Sequence, residues 1–237
     1  MAKQLQRQID SLKQKILFVG TLVEEAIAKA ISALVKRDRA LAQAVIAADD
    51  EIDRMEVDVE EEVLKILAIY QPVAADLRFV VAVLKINNDL ERMGDLAQNI
   101  AKRVVYLTTL ERFELPVDFR NMASKAQTMV KQSLDSLVNA DSTLARKVRN
   151  DDDEVDDIKR NIQDDIQRQI AVRPELTEAL MRLLSVSRHL ERLADMATNI
   201  AEDVIYMVEG EIVRHNNSDL ASASSKRPPA APKQSPS

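Results

Sequence analysis

The sequence predicts an all-α protein made of two tandem, pseudo-symmetric three-helix bundles with six long helices in total. Three observations lead to this prediction. Glycine is scarce, with only three in 237 residues, which is too few for the turns of a β-rich chain of this length. Apolar residues recur at spacings of three and four. The most distinctive segment of the first half also returns in the second half.

Prolines mark the ends of the predicted helices, because proline is tolerated in the first helical turn but breaks a helix interior. Before residue 228, proline occurs only at Pro72, Pro116 and Pro174. We therefore expect helices at about residues 4–36, 39–70, 73–108, 118–139, 142–170 and 174–210. The third of these carries a heptad-like apolar stripe, typical of a helix that packs into a bundle core, formed by Leu90, Met93, Ala97, Ile100 and Val104.

An internal repeat divides the chain into domains. Residues 90–106 read LERMGDLAQNIAKRVVY and residues 190–206 read LERLADMATNIAEDVIY, with ten of 17 positions identical. Earlier in each half, DDEID at residues 49–53 matches DDEVD at residues 152–156. The repeat predicts a first bundle at residues 1–112 and a second at 113–215. Residues 216–237 are rich in Ser, Pro and Lys and are expected to form a disordered tail.

Composition excludes several classes of protein. A net charge of −6 argues against a nucleic-acid-binding protein, and the absence of cysteine excludes disulfides and thiolate sites. The amino terminus has no apolar signal-peptide core, and no apolar run approaches the ~20 residues that span a bilayer. Both observations lead us to expect a cytoplasmic protein. With no glycine-rich phosphate loop, no nucleophile constellation and only two histidines, the chain is not expected to be an enzyme.

Polar residues repeated at a spacing of four carry the candidate chemistry. This spacing places them in a row along one helix face, and the preceding helix of each half carries a similar acidic row. Neighbouring acids repel each other unless a cation lies between them, so two adjacent rows predict a metal site. The candidate ligands are Asp49, Asp53, Glu91, Asp95 and Asn99 in the first half and Asp152, Asp156, Glu191, Asp195 and Asn199 in the second.

A solvated helix face is the alternative, because a polar row opposite a core stripe is usually just surface. The recurrence of the same three residue types in both halves favours metal sites, which would be open and surface-facing. An all-oxygen site without cysteine suits magnesium, calcium, manganese, oxidised iron or zinc, and the sequence does not choose among them. His189 adjoins the second row and is a candidate nitrogen ligand, but an ordinary surface histidine is the favoured interpretation.

Four motifs together carry a family resemblance: QPVAADLR at residues 71–78, LERMGD at 90–95 with Asn99, RHLERLAD at 188–195 with Asn199, and VEGEIVRH at 208–215. Over about residues 5–215 the chain resembles the PhoU family of phosphate-signalling regulators. The resemblance implies a negative regulator of phosphate uptake and of the phosphate-starvation response, without catalytic activity. It also implies an adaptor between the ATPase subunit of a phosphate ABC transporter and a sensor histidine kinase. A homodimer, associated only peripherally with membrane complexes, is expected.

The resemblance further implies metal ions, as multinuclear iron or zinc with magnesium or manganese as alternatives. These would bind the paired acids of the rows identified above. Arg78 lies in a segment without a clear counterpart in the second half and is a candidate partner-binding residue. Ala194 stands where many family members, and Gly94 in the first half, have glycine, and this change is expected to matter little because a helix accommodates alanine easily.

Two other interpretations of the acidic rows remain open. In the first, the chain is a helical scaffold whose acids bind metal incidentally or only keep it soluble. In the second, it is a metal-dependent enzyme on a helical bundle, acting on phosphate esters or in redox chemistry.

Overall fold

The computed structural model describes residues 2–111, 115, 117–211 and 213. Its long helices are α1 (Ala2–Lys36), α2 (Arg39–Tyr70), α3 (Ala74–Leu107), α4 (Val117–Asn139), α5 (Ser142–Val172) and α6 (Thr177–Glu209), and a single 3-10 turn at Pro174–Leu176 precedes α6. All bounds lie within three residues of the predicted ones. The predicted tail at residues 216–237 lies outside the described residues.

The helices pack as two three-helix groups. Helices α1, α2 and α3 contact one another, and so do α4, α5 and α6, while α3 with α6 and α1 with α4 join the two groups. The residues of the predicted stripe, such as Leu90, Met93 and Ile100, are fully buried. The prediction of an all-α fold built from helical bundles is confirmed. Within the described ranges, none of the helices combines the length and apolar character needed to cross a membrane.

The turn between the first two helices has the same structure in each half. Asp38 caps α2, where its carboxylate accepts a hydrogen bond from the backbone N–H of Leu41 at 3.0 Å. Asp141 caps α5 in the same way. The residues that precede these caps, Arg37 and Ala140, both have a left-handed backbone, with φ of 55° and 51°. The repeat therefore extends into the turn.

Helices α3 and α6 run antiparallel along the contact between the two groups. Three contacts establish their register: Arg78 with Gly210, Lys85 with Asp203, and Tyr106 with Arg182. As the α3 number rises from 78 to 106, the α6 number falls from 210 to 182. Gly94 is therefore level with Ala194, its counterpart in the repeat. The two halves are related by a pseudo-two-fold axis that passes through this contact.

Gly94 allows α2 to approach α3 closely. A methyl group at Gly94 would lie 3.1 Å from Cδ1 and 3.2 Å from Cγ2 of Ile52. In the second half, Ala194 is fully buried, and Val155 stands at the position that corresponds to Ile52. The larger residue on α6 is thus matched by a smaller one on α5. The expectation that alanine matters little considered only how well a helix accommodates this residue. It did not consider the contact of residue 194 with α5.

We expect Gly94→Ala and Ile52→Val to be thermodynamically coupled. Alanine gains about 1 kcal/mol of helix propensity, but its methyl group displaces the Ile52 side chain. Ile52→Val should cost about 1 kcal/mol in the wild type and less beside Ala at position 94. Urea unfolding of the wild type, both single variants and the double variant should give a favourable coupling of about 1 kcal/mol.

Gly20 supplies the control for this cycle, because a methyl group there would meet Leu134 of α4 and not Ile52. The effects of Gly20→Ala and Ile52→Val should simply add. Additive effects in both cycles would contradict the compensation between residues 52 and 94.

Candidate metal centres

The acidic rows of the first half come together where α2 meets α3. Burial, followed by the charges of Asp53 and Asp95, raises the pKa of Asp49 to about 6. Burial and the charges of Asp95 and Asp53 also raise the pKa of Glu91. Because carboxylates raise one another's pKa only at short range, these four side chains share one inter-helix surface.

The second half repeats this arrangement between α5 and α6. Burial, followed by the charges of Asp195 and Asp156, raises the pKa of Asp152 to about 6. Burial, followed by the charges of Glu191 and Asp156, raises the pKa of Asp195. The eight predicted acids therefore form two clusters of four, one in each half.

Asp49 departs from the expectation of open, surface-facing acids, which is wrong at this position. Only 6% of Asp49 is exposed. Its Oδ1 lies 3.5 Å from the place where a Cβ at Gly94 would be. Because residue 94 has no side chain, the carboxylate lies against the backbone of α3. The polar row alone gives no sign of this space, since it depends on a residue of the neighbouring helix.

Lysines already neutralise part of each cluster. The Nζ of Lys159 forms an ion pair with Oε1 of Glu191 in the second half. In the first half, Lys102 partly opposes the rise in the pKa of Asp49 that burial and the neighbouring acids cause. Neither lysine was predicted from the sequence to belong to the site. Lys159 could have been recognised from its position one helical turn after Asp156, because side chains at this spacing are neighbours on the helix surface.

The donor chemistry of both clusters fits a divalent cation, which would relieve the repulsion among the acids. Among the side chains that the structure describes, however, no three carboxylates or histidines converge on a point that could hold a metal ion. Binding therefore requires the acids to rotate toward a common centre. In the second half it also requires Lys159 to release Glu191.

Asn199 follows Asp195 by one turn of α6 and lines a cavity of about 700 Å³ between the halves, together with Lys85, Asp89 and Glu202. Its role as a metal ligand stays a prediction. Asn99 is partly buried, one helical turn beyond Asp95. The four-residue spacing aligns both amides with the acids of their helices, and Asn199 also lies beside the cavity between the halves.

Arg78 packs against the end of α6. Its guanidinium carbon lies 3.6 Å from the Cβ position of Gly210, the C-cap residue with φ of 76°. A cation at this place interacts favourably with the partial negative charge of the helix carboxyl end. The structure thus gives Arg78 a contact between the halves, and its role in partner binding stays a prediction.

The interpretation of His189 as an ordinary surface histidine is wrong. Its Nδ1 is buried without a hydrogen-bond partner, and its Nε2 lies 3.5 Å from Oγ of Ser185. Burial, followed by the charges of Arg103 and Arg192, lowers its pKa. His189 therefore lies half-buried at the contact between α6 and α3.

Comparisons with known proteins give a consistent result. The family model of the PhoU domain matches the chain twice, at residues 16–104 and 119–204. A phosphate-specific transport system accessory protein PhoU homolog from Aquifex aeolicus is 39% identical over 211 residues, which is 89% of this chain and 96% of the relative. The protein of the same description from Pseudomonas aeruginosa is 37% identical, covering 91% of this chain and 89% of the relative.

Solved structures agree with the sequence matches. The crystal structure of PhoU from Pseudomonas aeruginosa superposes with a TM-score of 0.85 at 34% identity, covering 87% of this chain and 99% of that one. The phosphate transport system regulatory protein PhoU from Streptococcus pneumoniae superposes with a TM-score of 0.81 at 28% identity, covering 88% and 99%. With both halves matched by the family model and the fold shared along almost the whole of these relatives, the chain belongs to the PhoU family.

Proposed function

We propose that this chain is a non-catalytic, cytoplasmic regulator of phosphate-specific transport. The observation that carries the proposal is 39% identity over 89% of the chain to a protein described as an accessory protein of that transport system. In this proposal the chain lowers phosphate uptake and represses the phosphate-starvation response when phosphate is plentiful. It acts as a homodimeric adaptor between the ATPase subunit of the phosphate transporter and a sensor histidine kinase, and it associates only peripherally with the membrane.

The metal sites form a second part of the proposal. One cluster is Asp49, Asp53, Glu91 and Asp95, and the other is Asp152, Asp156, Glu191 and Asp195. Four mutually repelling carboxylates across two helices are an electrostatic cost that a bound cation offsets. Multinuclear iron or zinc is the first candidate, and magnesium or manganese also suits oxygen ligands. A bound ion would supply positive charge between α2 and α3 and between α5 and α6.

Deletion of the gene tests the regulatory role. We expect alkaline phosphatase to be derepressed in phosphate-rich medium and the wild-type gene to restore repression, because the adaptor would no longer report that phosphate is plentiful. Unchanged repression in the deletion strain would count against the proposal. Turnover of phosphate esters by the purified, metal-loaded protein would instead support a metal-dependent enzyme.

Metal content tests the two clusters. We expect Asp95→Ala/Asp195→Ala to retain about half or less of the metal that the wild type keeps through gel filtration, because each change removes a charged ligand. Asp58→Ala/Asp164→Ala is the matched control, since it removes the same charge at exposed positions of α2 and α5. Elemental analysis provides the measurement. Equal metal in the site variant and the wild type would remove both clusters from the proposal.

The pH dependence of stability tests the repulsion directly. The carboxyl of Asp49 has a higher pKa in the folded chain, about 6, than the ordinary value of 3.8, so the folded chain binds this proton more tightly. The free energy of unfolding therefore falls as pH rises from 3.8 to about 6 and stays lower above that range. At neutral pH and without metal, Asp49→Asn should exceed the wild type in stability by about 1 kcal/mol, allowing for solvent screening.

This difference should disappear near about pH 4, where Asp49 is protonated in the folded state. Urea unfolding at the two pH values in the presence of a chelator provides the measurement. Asp58→Asn, an exposed acid of the same helix, is the control and should change stability little at either pH. If both variants behave alike, the burial and crowding of Asp49 do not affect stability.

A further inference from the structure

The pseudo-two-fold axis produces two equivalent ends of the α3–α6 contact, and these ends differ in charge. At the first end, Nζ of Lys85 lies 3.3 Å from Oδ1 of Asp203, a carboxylate that is only 1% exposed. Asp89 is also buried there. The adjoining cavity of about 700 Å³ is predominantly acidic, with Glu56, Glu60 and Glu202 in its wall. This end therefore holds cations that are matched by carboxylates.

At the second end, the repeat replaces each of these residues. Ser185 stands at the position of Lys85, His189 at that of Asp89, and Arg103 at that of Asp203. Both acids of the first end have thus become a basic or neutral nitrogen-bearing residue, and no acid has replaced the lost lysine. Arg192 and Arg188 add further positive charge on the neighbouring turns of α6.

Contacts across the helices bring part of this set together. The register of the two helices places Arg103 level with Ser185, whose Oγ lies 3.5 Å from Nε2 of His189, and Arg192 follows His189 by one turn of α6. Burial, followed by the charges of Arg103 and Arg192, lowers the pKa of His189. The Nε of Arg103 and the Nδ1 of His189 are both buried without a hydrogen-bond partner. Within the described part of the chain, neither Arg103 nor Arg192 forms an ion pair. Buried polar nitrogens are normally hydrogen-bonded, so this pair requires an explanation.

The nearby carboxylates among the described residues interact with other groups, so they do not supply that explanation. Glu178, one turn from Arg182, accepts a hydrogen bond from the hydroxyl of Tyr106. Glu191 is paired with Lys159 on the side facing α5. The pKa of Asp195 is raised by burial and by the other acids of its own cluster. The acids nearest in sequence are thus engaged with groups other than Arg103 and His189.

We propose that Arg103, His189 and Arg192 form a binding site for a small tetrahedral oxyanion, of the class of inorganic phosphate or a phosphoryl group. Guanidinium groups present several donors in a plane that matches the oxygens of such an anion, and Oγ of Ser185 beside His189 adds a hydroxyl donor. Arg192 is exposed and gives solvent access, whereas Arg103 holds the ligand from the buried side. The site adjoins the acidic cluster of the second half, because the charge of Arg192 also acts on Asp195. The inference does not rest on the proposed regulatory function.

The histidine ring provides a direct probe, because the chain has only two histidines and His215→Gln assigns the signals. Inorganic phosphate should shift the ring resonances of His189 in a saturable way at constant ionic strength adjusted with chloride. Arg192→Gln should weaken the apparent affinity about tenfold or more, because it removes a charge-assisted hydrogen bond. Arg92→Gln, at the equivalent exposed position of the acidic end, should leave the affinity unchanged.

Arg103→Gln should abolish the saturable shift, with circular dichroism as the test that the helices remain folded. If that variant does not fold, Arg192→Gln alone decides the question. A titration with O-phosphoserine distinguishes free phosphate from a phosphorylated protein as the source of the ligand, and saturable binding of either one at this site supports the proposal. No saturable shift in the wild type, or equal affinities of the wild type and Arg192→Gln, would overturn it.

Discussion

The antiparallel contact between α3 and α6 is the constraint on which the rest of the molecule depends. Each of these helices packs against three others, α3 against α1, α2 and α6, and α6 against α3, α4 and α5. Buried residues consequently lie around most of the circumference of both helices. Only a narrow strip on each, including Asp95 and Asp195, reaches solvent. Asp49 on α2 and Asp152 on α5 face these strips from the neighbouring helix. Burial is therefore the largest influence on the pKa of both carboxyls.

The two halves share a fold, but equivalent positions along the α3–α6 contact carry different charges. Positions that hold the buried acids Asp89 and Asp203 at one end of the contact hold His189 and Arg103 at the other. By contrast, the four acids of each cluster occur in both halves, although lysines approach them in different ways. The two halves thus share the acidic clusters but differ in charge at the two ends of the α3–α6 contact. The pseudo-symmetry of the backbone does not extend to the surface that a ligand or partner would meet.

Much of the fold could be predicted because the ends and the buried face of a helix depend on local sequence patterns. The prolines and the apolar stripe placed every long helix to within three residues, and the repeat indicated two similar bundles. The acids of each cluster were also found, because a four-residue spacing places side chains on one helix face regardless of what lies opposite. The burial of Asp49 was not found, since it depends on the missing side chain of Gly94 on another helix. The burial of the His189 Nδ1 was not found either, since it depends on the packing of α3 against α6, which the sequence of α6 alone does not show.

The pairing of Gly94 with Ile52, and of Ala194 with Val155, bears on how a duplicated chain diverges. A change at either position of one pair is tolerated best when its partner on the neighbouring helix has changed as well. Recombination between the two copies at a point between α2 and α3 would join isoleucine to alanine in one product and valine to glycine in the other. The first product would be crowded and the second underpacked. Steric fit between the second and third helices of each half therefore restrains the exchange of single helices between the two copies.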